Sequence, residues 1–255
     1  MRLFILTGAS RGIGASLAEQ LLSPSHELYC LSRSENDALK KFARTRQLGL
    51  NYHRQDLNKI DESVKWLDHI LIGLDPAEWE AIHLILNAAV VSPIHRVGDR
   101  EDLGDIQQSL VVNYLSPIML SERFVHRTQD WQVQKRITFI GSRAASKTMP
   151  AFSHYCSSKA GLERFVDILA AEQRTVHFPV ESQLIHPGTV DTSMQTEIRA
   201  QDVGISSLMP YFQDLKKNGK LLSPQIVACE ILKLLNKDVE KESLRVDIEK
   251  QLKAL

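Results

Sequence analysis

Short apolar runs alternate with stretches of helical periodicity along nearly the whole chain, and few folds accept that pattern. The runs Leu3–Thr7, Glu27–Arg33, Asn51–Leu57, Ile82–Ala89, Arg136–Gly141 and Glu181–His186 read as strands. Between them, Ile13, Leu17 and Leu21 recur at four-residue spacing, which marks one face of a helix. Leu162, Phe165, Val166 and Leu169 follow the i, i+3, i+4, i+7 pattern of another. A third helix is predicted to open at Ser223-Pro224, where serine caps and proline fits the first turn; its apolar face is Val227, Ile231, Leu234 and Leu235. A last short strand is predicted over Leu244–Ile248, and the rest of the charged tail from Asn236 onward reads as solvated. Strands alternating with helices imply right-handed crossovers and a mostly parallel sheet covered on both faces. No linker or repeat interrupts the alternation, so residues 1–255 read as one doubly wound α/β domain. Ser193–Leu222 breaks the rhythm. It follows a strand's C-terminal end, where open α/β sheets bind ligands, so it reads either as a substrate lid or as a plain surface excursion.

Composition narrows the function. With 255 residues, 43% of them hydrophobic, the chain can bury a large core without staples. Lysine plus arginine and aspartate plus glutamate both number 31, and the resulting zero net charge argues against a nucleic-acid binder. Cys30, Cys156 and Cys229 are widely spaced with no CxxC pair, as in a protein of reduced thiols. The apolar start Met1–Thr7 is too short for a signal peptide, and nowhere do 18 apolar residues run together. The expectation is a soluble cytoplasmic protein with no membrane span. None of the nine histidines falls in an HExxH spacing, so no metal site is expected.

Thr7-Gly8-Ala9-Ser10-Arg11-Gly12-Ile13-Gly14 follows the first predicted strand and opens the first helix. Glycines there allow a tight turn and close approach of backbone to a pyrophosphate, and the helix N-terminus offers free N–H groups. The spacing is GxxxGxG, and its position favours cofactor binding over an ordinary turn. At the end of the second strand, where an NAD-preferring site places an acid, this chain has Arg33. Arg33 and Arg11 together suit a 2′-phosphate, which favours NADP(H), although Glu35 and Asp37 lie close by. Tyr155 and Lys159 stand four apart at a helix start and so share a face. An ammonium about 4 Å from a phenol is expected to lower the phenol's pKa by up to about 3 units, into the range where acid–base catalysis is efficient. Ser142 lies at the end of the preceding strand.

With these residues in view, the chain resembles a short-chain dehydrogenase/reductase over essentially its whole length. Gly8–Gly14, Asp56-Leu57, Asn87-Ala88-Ala89, Asn113, Ser142, Tyr155-xxx-Lys159 and Pro187-Gly188-xxx-Thr192 fall in the family's order. The resemblance implies a Rossmann fold with NADP(H) held by Gly8, Ser10, Arg11, Gly12, Ile13, Gly14, Arg33, Asp56, Leu57, Asn87, Val190 and Thr192. Asp56 is then implied to bond the adenine amino group, Asn87 to support the cofactor strand, and Val190 with Thr192 to fix the carboxamide. Tyr155 and Lys159 are implied to hold the nicotinamide ribose, and Asn113, Ser142, Tyr155 and Lys159 to form the catalytic tetrad. In that tetrad Ser142 and Tyr155 address the substrate carbonyl, and Asn113 holds a water that links Lys159 to solvent.

The chain departs from the family at Leu86-Asn87-Ala88-Ala89, where the usual NNAG has lost its first Asn and its Gly. Among subgroups, the start, the Leu31-Ser32-Arg33 strand end and the C-terminal Leu-Arg-Val-Asp-Ile resemble bacterial benzil reductases and sepiapterin reductases. In the latter an acid near the C-terminus anchors the pterin, and Asp247 is the candidate by position; a solvated Asp is the alternative. The expectation is an NADPH-dependent reductase of a small carbonyl compound, of dicarbonyl type. Alternatives are a pteridine reductase, an NAD-linked alcohol oxidiser, or an NADPH-sensing regulator without turnover. Met194, Leu208, Met209, Tyr211 and Phe212 are expected to wall the substrate. The apolar helices predicted over Asp105–Phe124 and Ser153–Ala171 could pair between subunits, as a dimer or tetramer.

Overall fold

The computed structural model describes residues 1–237 and 245–254. Seven strands, β1 (Arg2–Thr7), β2 (His26–Ser32), β3 (Gly49–Arg54), β4 (Ala81–Leu86), β5 (Gln134–Ile140), β6 (Val180–His186) and β7 (Arg245–Asp247), form one sheet in the order β3-β2-β1-β4-β5-β6-β7. Every pairing is parallel, so the sheet needs crossovers and cover on both faces. The helices are α1 (Gly12–Leu21), α2 (Asp37–Arg46), α3 (Ile60–Ile72), α4 (Gly104–Leu110), α5 (Ser116–Thr128), α6 (Ser153–Gln173), α7 (Ser193–Arg199), α8 (Met209–Lys217), α9 (Pro224–Leu235) and α10 (Ile248–Lys253).

Alternation along β1 shows how the two faces are filled. Leu3 and Ile5 join a core with Leu67 of α3, Phe124 of α5 and Leu162 of α6. Phe4 and Leu6 point the other way, onto Leu17 of α1 and Val227 and Ile231 of α9. The helix expected at Ser223-Pro224 starts there, with the Ser223 side chain accepting from the Ile226 N–H. Arg136 of β5 is fully buried, bonding Glu181 and the carbonyls of Leu234, Leu235 and Lys237, so it closes the orphan end of α9.

Three expectations need correction. Strands β2, β3 and β4 stop before Arg33, Asp56 and Asn87, and at β4 the cause is that the following loop N–H groups turn to a side chain instead of a neighbouring strand. The Thr7 hydroxyl, for example, accepts from the N–H groups of both Asn87 and Ala88. The helix expected over Asp105–Phe124 is broken into α4, a π-helical turn at Val111–Leu115, and α5. Pro117, at the start of α5, has no N–H for the carbonyl of Asn113. The last strand is shorter than expected: β7 covers Arg245–Asp247, pairing with β6, and Ile248 opens α10 and packs into the α1–α9 core. Leu244, the first residue of the expected last strand, lies outside the described residues.

Strand partners are neighbours in the chain except at β1–β4, where the order reverses. That reversal leaves a crevice beyond the strands' C-terminal ends, and the glycine loop and Asn87 both lie at it.

Candidate active site

The glycine loop joins β1 to α1, and its conformation explains its composition. Gly8 and Gly12 have φ of 76° and 58°, which L side chains rarely adopt. Gly14 has an ordinary φ but no room: a Cβ would sit 2.1 Å from the Gly8 carbonyl oxygen and 2.5 Å from Asn87 Nδ2. The Asn87 amide donates to the carbonyls of Thr7 and Gly8, which ties the loop to the end of β4. No side chain caps α1, whose N-cap is Arg11, so its first N–H groups stay available to an anion. A cavity of about 680 Å³ opens at this point, lined among others by Arg11, Gly12, Asn36 and Thr192. A narrow glycine cradle before an uncapped helix fits the diphosphate of a dinucleotide.

Arg11 and Arg33 are both exposed at this end of the sheet. Arg54, which the sequence reading missed, belongs with them: it lies opposite Ser32 on β3 and donates through Nε to the Arg33 carbonyl at 3.1 Å. Only the β2–β3 register reveals it. The Glu35 carboxylate is turned to the Lys40 ammonium at 2.7 Å, which holds its pKa below the usual range. Asp56 accepts from the backbone and side-chain nitrogens of Asn58, and Leu57 behind it is buried.

Ser142, Tyr155 and Lys159 meet at the end of β5. Ser142 follows the strand, and its hydroxyl caps a short turn by accepting from the Ala144 N–H at 3.1 Å. Tyr155 and Lys159 lie in the first two turns of α6, both buried, and the Tyr155 hydroxyl lies toward the Ser142 side chain. Lys159 Nζ donates to the Ile140 carbonyl at 2.8 Å. The expected lowering of the phenol is corrected here. Burial pushes the Tyr155 pKa up, the neighbouring Ser142 opposes it only in part, and the Lys159 ammonium gives one of its donors to Ile140. Burial also pulls Lys159 down to about 8, with Glu163 acting against it.

Asn113 sits in the π-helical turn, almost fully buried. Its amide pairs with both backbone groups of Val90, accepting from the N–H at 2.8 Å and donating to the carbonyl at 2.7 Å. The Asn113 side chain is therefore engaged on the β4 loop. Its backbone carbonyl, which Pro117 leaves without an α-helical partner, is the freer acceptor. Asp247 is engaged too: Arg143 grips it at 2.6 and 2.7 Å, and the Lys250 N–H caps onto the same carboxylate. Its carboxylate is half-buried and held by these partners.

Val190 is buried and bridges Leu222 in parallel, and the backbones of Thr189 and Asp191 bond Leu222 on either side. Residues 193–222 thus leave and return through one narrow neck beside Thr192. Within the segment, Met209 and Phe212 are buried on Phe152 and Tyr155, Met194 and Leu208 are half-buried there, and Tyr211 is exposed. Fold packing consumes two residues of the expected substrate wall.

Among the described residues, no helix is long and apolar enough to cross a membrane and no cluster of three metal-ligating side chains occurs. The short chain dehydrogenase family model matches residues 2–203. A benzil reductase forming (S)-benzoin from Bacillus subtilis (strain 168) is 35% identical over 240 residues, covering 94% of this chain and 96% of that protein. A sepiapterin reductase from Xenopus tropicalis is 27% identical over 260 residues, covering 96% and 95%. The crystal structure of the KRED1-Pglu enzyme superposes with a TM-score of 0.82 at 25% identity, covering 96% of this chain and all of that one. Motif order, fold and relatives agree: the chain belongs to the short-chain dehydrogenase family and is an oxidoreductase of carbonyl-reductase type.

Proposed function

We propose that the protein is an NADPH-dependent reductase of dicarbonyl compounds, taking a benzil-like diketone to a hydroxyketone. The observation that carries this reading is the buried Tyr155 with the half-buried Ser142 beside it and Lys159 one turn along α6, at the end of β5. Likeness to the Bacillus subtilis benzil reductase supports the substrate class. The glycine loop, Asn87 and Thr192 would hold a dinucleotide, and Arg11, Arg33 and Arg54 its 2′-phosphate. A bound reduced nicotinamide supplies the hydride.

The chain's own residues manage the charge that grows on the carbonyl oxygen. Ser142 donates a hydrogen bond to that oxygen, and Tyr155, held protonated by burial, gives it a proton. Lys159, fixed on Ile140, presents its remaining donors to the ribose side and to Tyr155. Segment 193–222, hinged at Val190–Leu222, closes over the reacting groups with Met194 and Leu208 toward the substrate.

Benzil, sepiapterin, simple ketones and secondary alcohols, assayed by NADPH absorbance, test the proposal. Benzil is expected to turn over fastest and to give one hand of benzoin. Faster turnover of simple ketones, or of alcohol oxidation, overturns the dicarbonyl assignment. A sepiapterin lead that is lost in Asp247→Asn would favour the pteridine reading.

Cofactor choice follows from the arginines. Losing one charge-assisted hydrogen-bonding partner costs about 1.5–3 kcal/mol, so Arg33→Ala is expected to weaken NADPH by roughly 10- to 150-fold and NADH hardly at all. Equal affinity of the unmodified protein for the two nucleotides, measured by fluorescence titration, contradicts NADPH preference.

The pH dependence has a definite sign. The Lys159 ammonium is charged below about pH 8 and neutral above it. Burial raises the Tyr155 phenol, so it stays protonated through that range. The value of kcat/KM for NADPH, which reports the free enzyme, should hold on the acid side and fall through a midpoint near pH 8.

A further inference from the structure

One turn beyond Lys159 on α6, Glu163 is a buried carboxylate that no step above uses. An i, i+4 pair on one helix face brings the two side chains together. Glu163 is bracketed from the far side by two other strands. Arg245 Nη1 of β7 reaches Oε2 at 3.0 Å, and His186 Nε2 of β6 stands 3.3 Å from Oε1, which has no other partner among the described residues. Arg245 also holds Asp167, one further turn along α6, at 2.6 Å. Behind His186 lie Asp247, its register partner, and Arg143. The helix, β6 and β7 therefore converge on one buried carboxylate one helical turn from Lys159, acting on it through space and not by direct ion pairing.

We propose that Glu163 is a positioning residue: it is the buried counter-charge that keeps Lys159 protonated, and His186 and Arg245 fix it for that work. The inference rests on the reading of Lys159 as part of the reductase site. An unpaired ammonium buried beside an apolar core gives up its proton; a carboxylate one turn away keeps it charged. The direction of the effect agrees, since Glu163 is the group that pulls Lys159 back up against burial; burial raises the Glu163 pKa, and Arg245 first and Lys159 after it favour its ionised form. Arg245 acts with the opposite sign: it neutralises part of the Glu163 charge and so loosens the hold on Lys159.

Two variants with opposite expected shifts test this. Glu163→Gln keeps the shape and the hydrogen-bonding capacity but removes the charge. Its alkaline limb in kcat/KM should move down by about one pH unit, a loss of about fivefold at pH 8. Arg245→Gln leaves the Glu163 charge less neutralised, and its limb should move up. A carboxylate with a merely structural role would lower activity by one factor at every pH and leave the midpoint where it was; that result overturns the proposal. Both variants shifting in the same direction overturns it as well. The Lys159 titration is also read directly by NMR of ¹³Cε-lysine-labelled holo-length protein, the resonance being assigned by its absence in Lys159→Met. This arm needs no turnover. A Lys159 resonance whose midpoint drops in Glu163→Gln supports the coupling even if no carbonyl compound is reduced, whereas an unmoved midpoint refutes it even in an active reductase.

Discussion

Replacing Tyr155 with Phe is expected to lower kcat for carbonyl reduction by about 10²- to 10⁴-fold while NADPH affinity stays within a few-fold of wild type. The ring of Tyr155 packs with Phe152, Ala144 and the buried residues of α7 and α8, and Phe preserves that packing. Only the hydroxyl is lost. Ser142 keeps its bond to the Ala144 N–H and remains in place, so the variant isolates the proton donor from the scaffold. Stopped-flow measurement with saturating NADPH separates the chemical step from cofactor binding. Lys159→Ala should harm both, because the proposed mechanism has Lys159 serve the cofactor and the phenol together. If Tyr155→Phe turned over at the wild-type rate, the tetrad assignment would fall and a nucleotide-sensing role would gain ground.

The second large effect is expected from a single methyl group. Gly14→Ala places a Cβ against the Gly8 carbonyl and the Asn87 amide, two groups that cannot yield without opening the loop. Strain of this kind costs about 1–3 kcal/mol, which thermal unfolding should register as a lowered Tm. Cofactor binding should suffer more. Displacing two loop N–H groups from a diphosphate forfeits about 3–6 kcal/mol, at least a hundredfold in Kd. Isothermal titration with NADPH reads the second loss independently of the first. A Gly14→Ala protein that bound NADPH normally would show that the loop does not cradle the diphosphate.

How much of this could be read from the sequence depends on the range of the interaction responsible. Strand positions, the capped start of α9 and the glycine loop depend on residues adjacent in the chain, and the pattern of apolar runs was enough to find them. Strand ends were misjudged because they are set by distant partners: Thr7 of β1 captures the N–H groups of Asn87 and Ala88. The break in the long helix was visible as Pro117, but its effect on the Asn113 carbonyl needs the π-helical turn to be known. The tyrosine–lysine spacing indicated a shared face. It did not reveal that Ile140 takes the ammonium or that burial, acting on both groups, outweighs their attraction. Arg54 and the Arg143–Asp247 pair were invisible for the same reason, since each depends on the register of strands far apart in sequence.

The sheet order carries a consequence for the nascent chain. Strands β1, β2 and β3 are successive and can assemble as soon as they leave the ribosome, but β1 acquires its second neighbour only when β4 has been made. Until then β1, an interior strand of the finished sheet, presents an open edge flanked by Leu3, Phe4, Ile5 and Leu6, all buried in the native protein. Closing that edge spans the longest loop between paired strands in the N-terminal half, so it comes late and at an entropic cost. An emerging polypeptide of this topology is most exposed to aggregation just before β4 is translated, and holdase chaperones would be expected to engage it at that length.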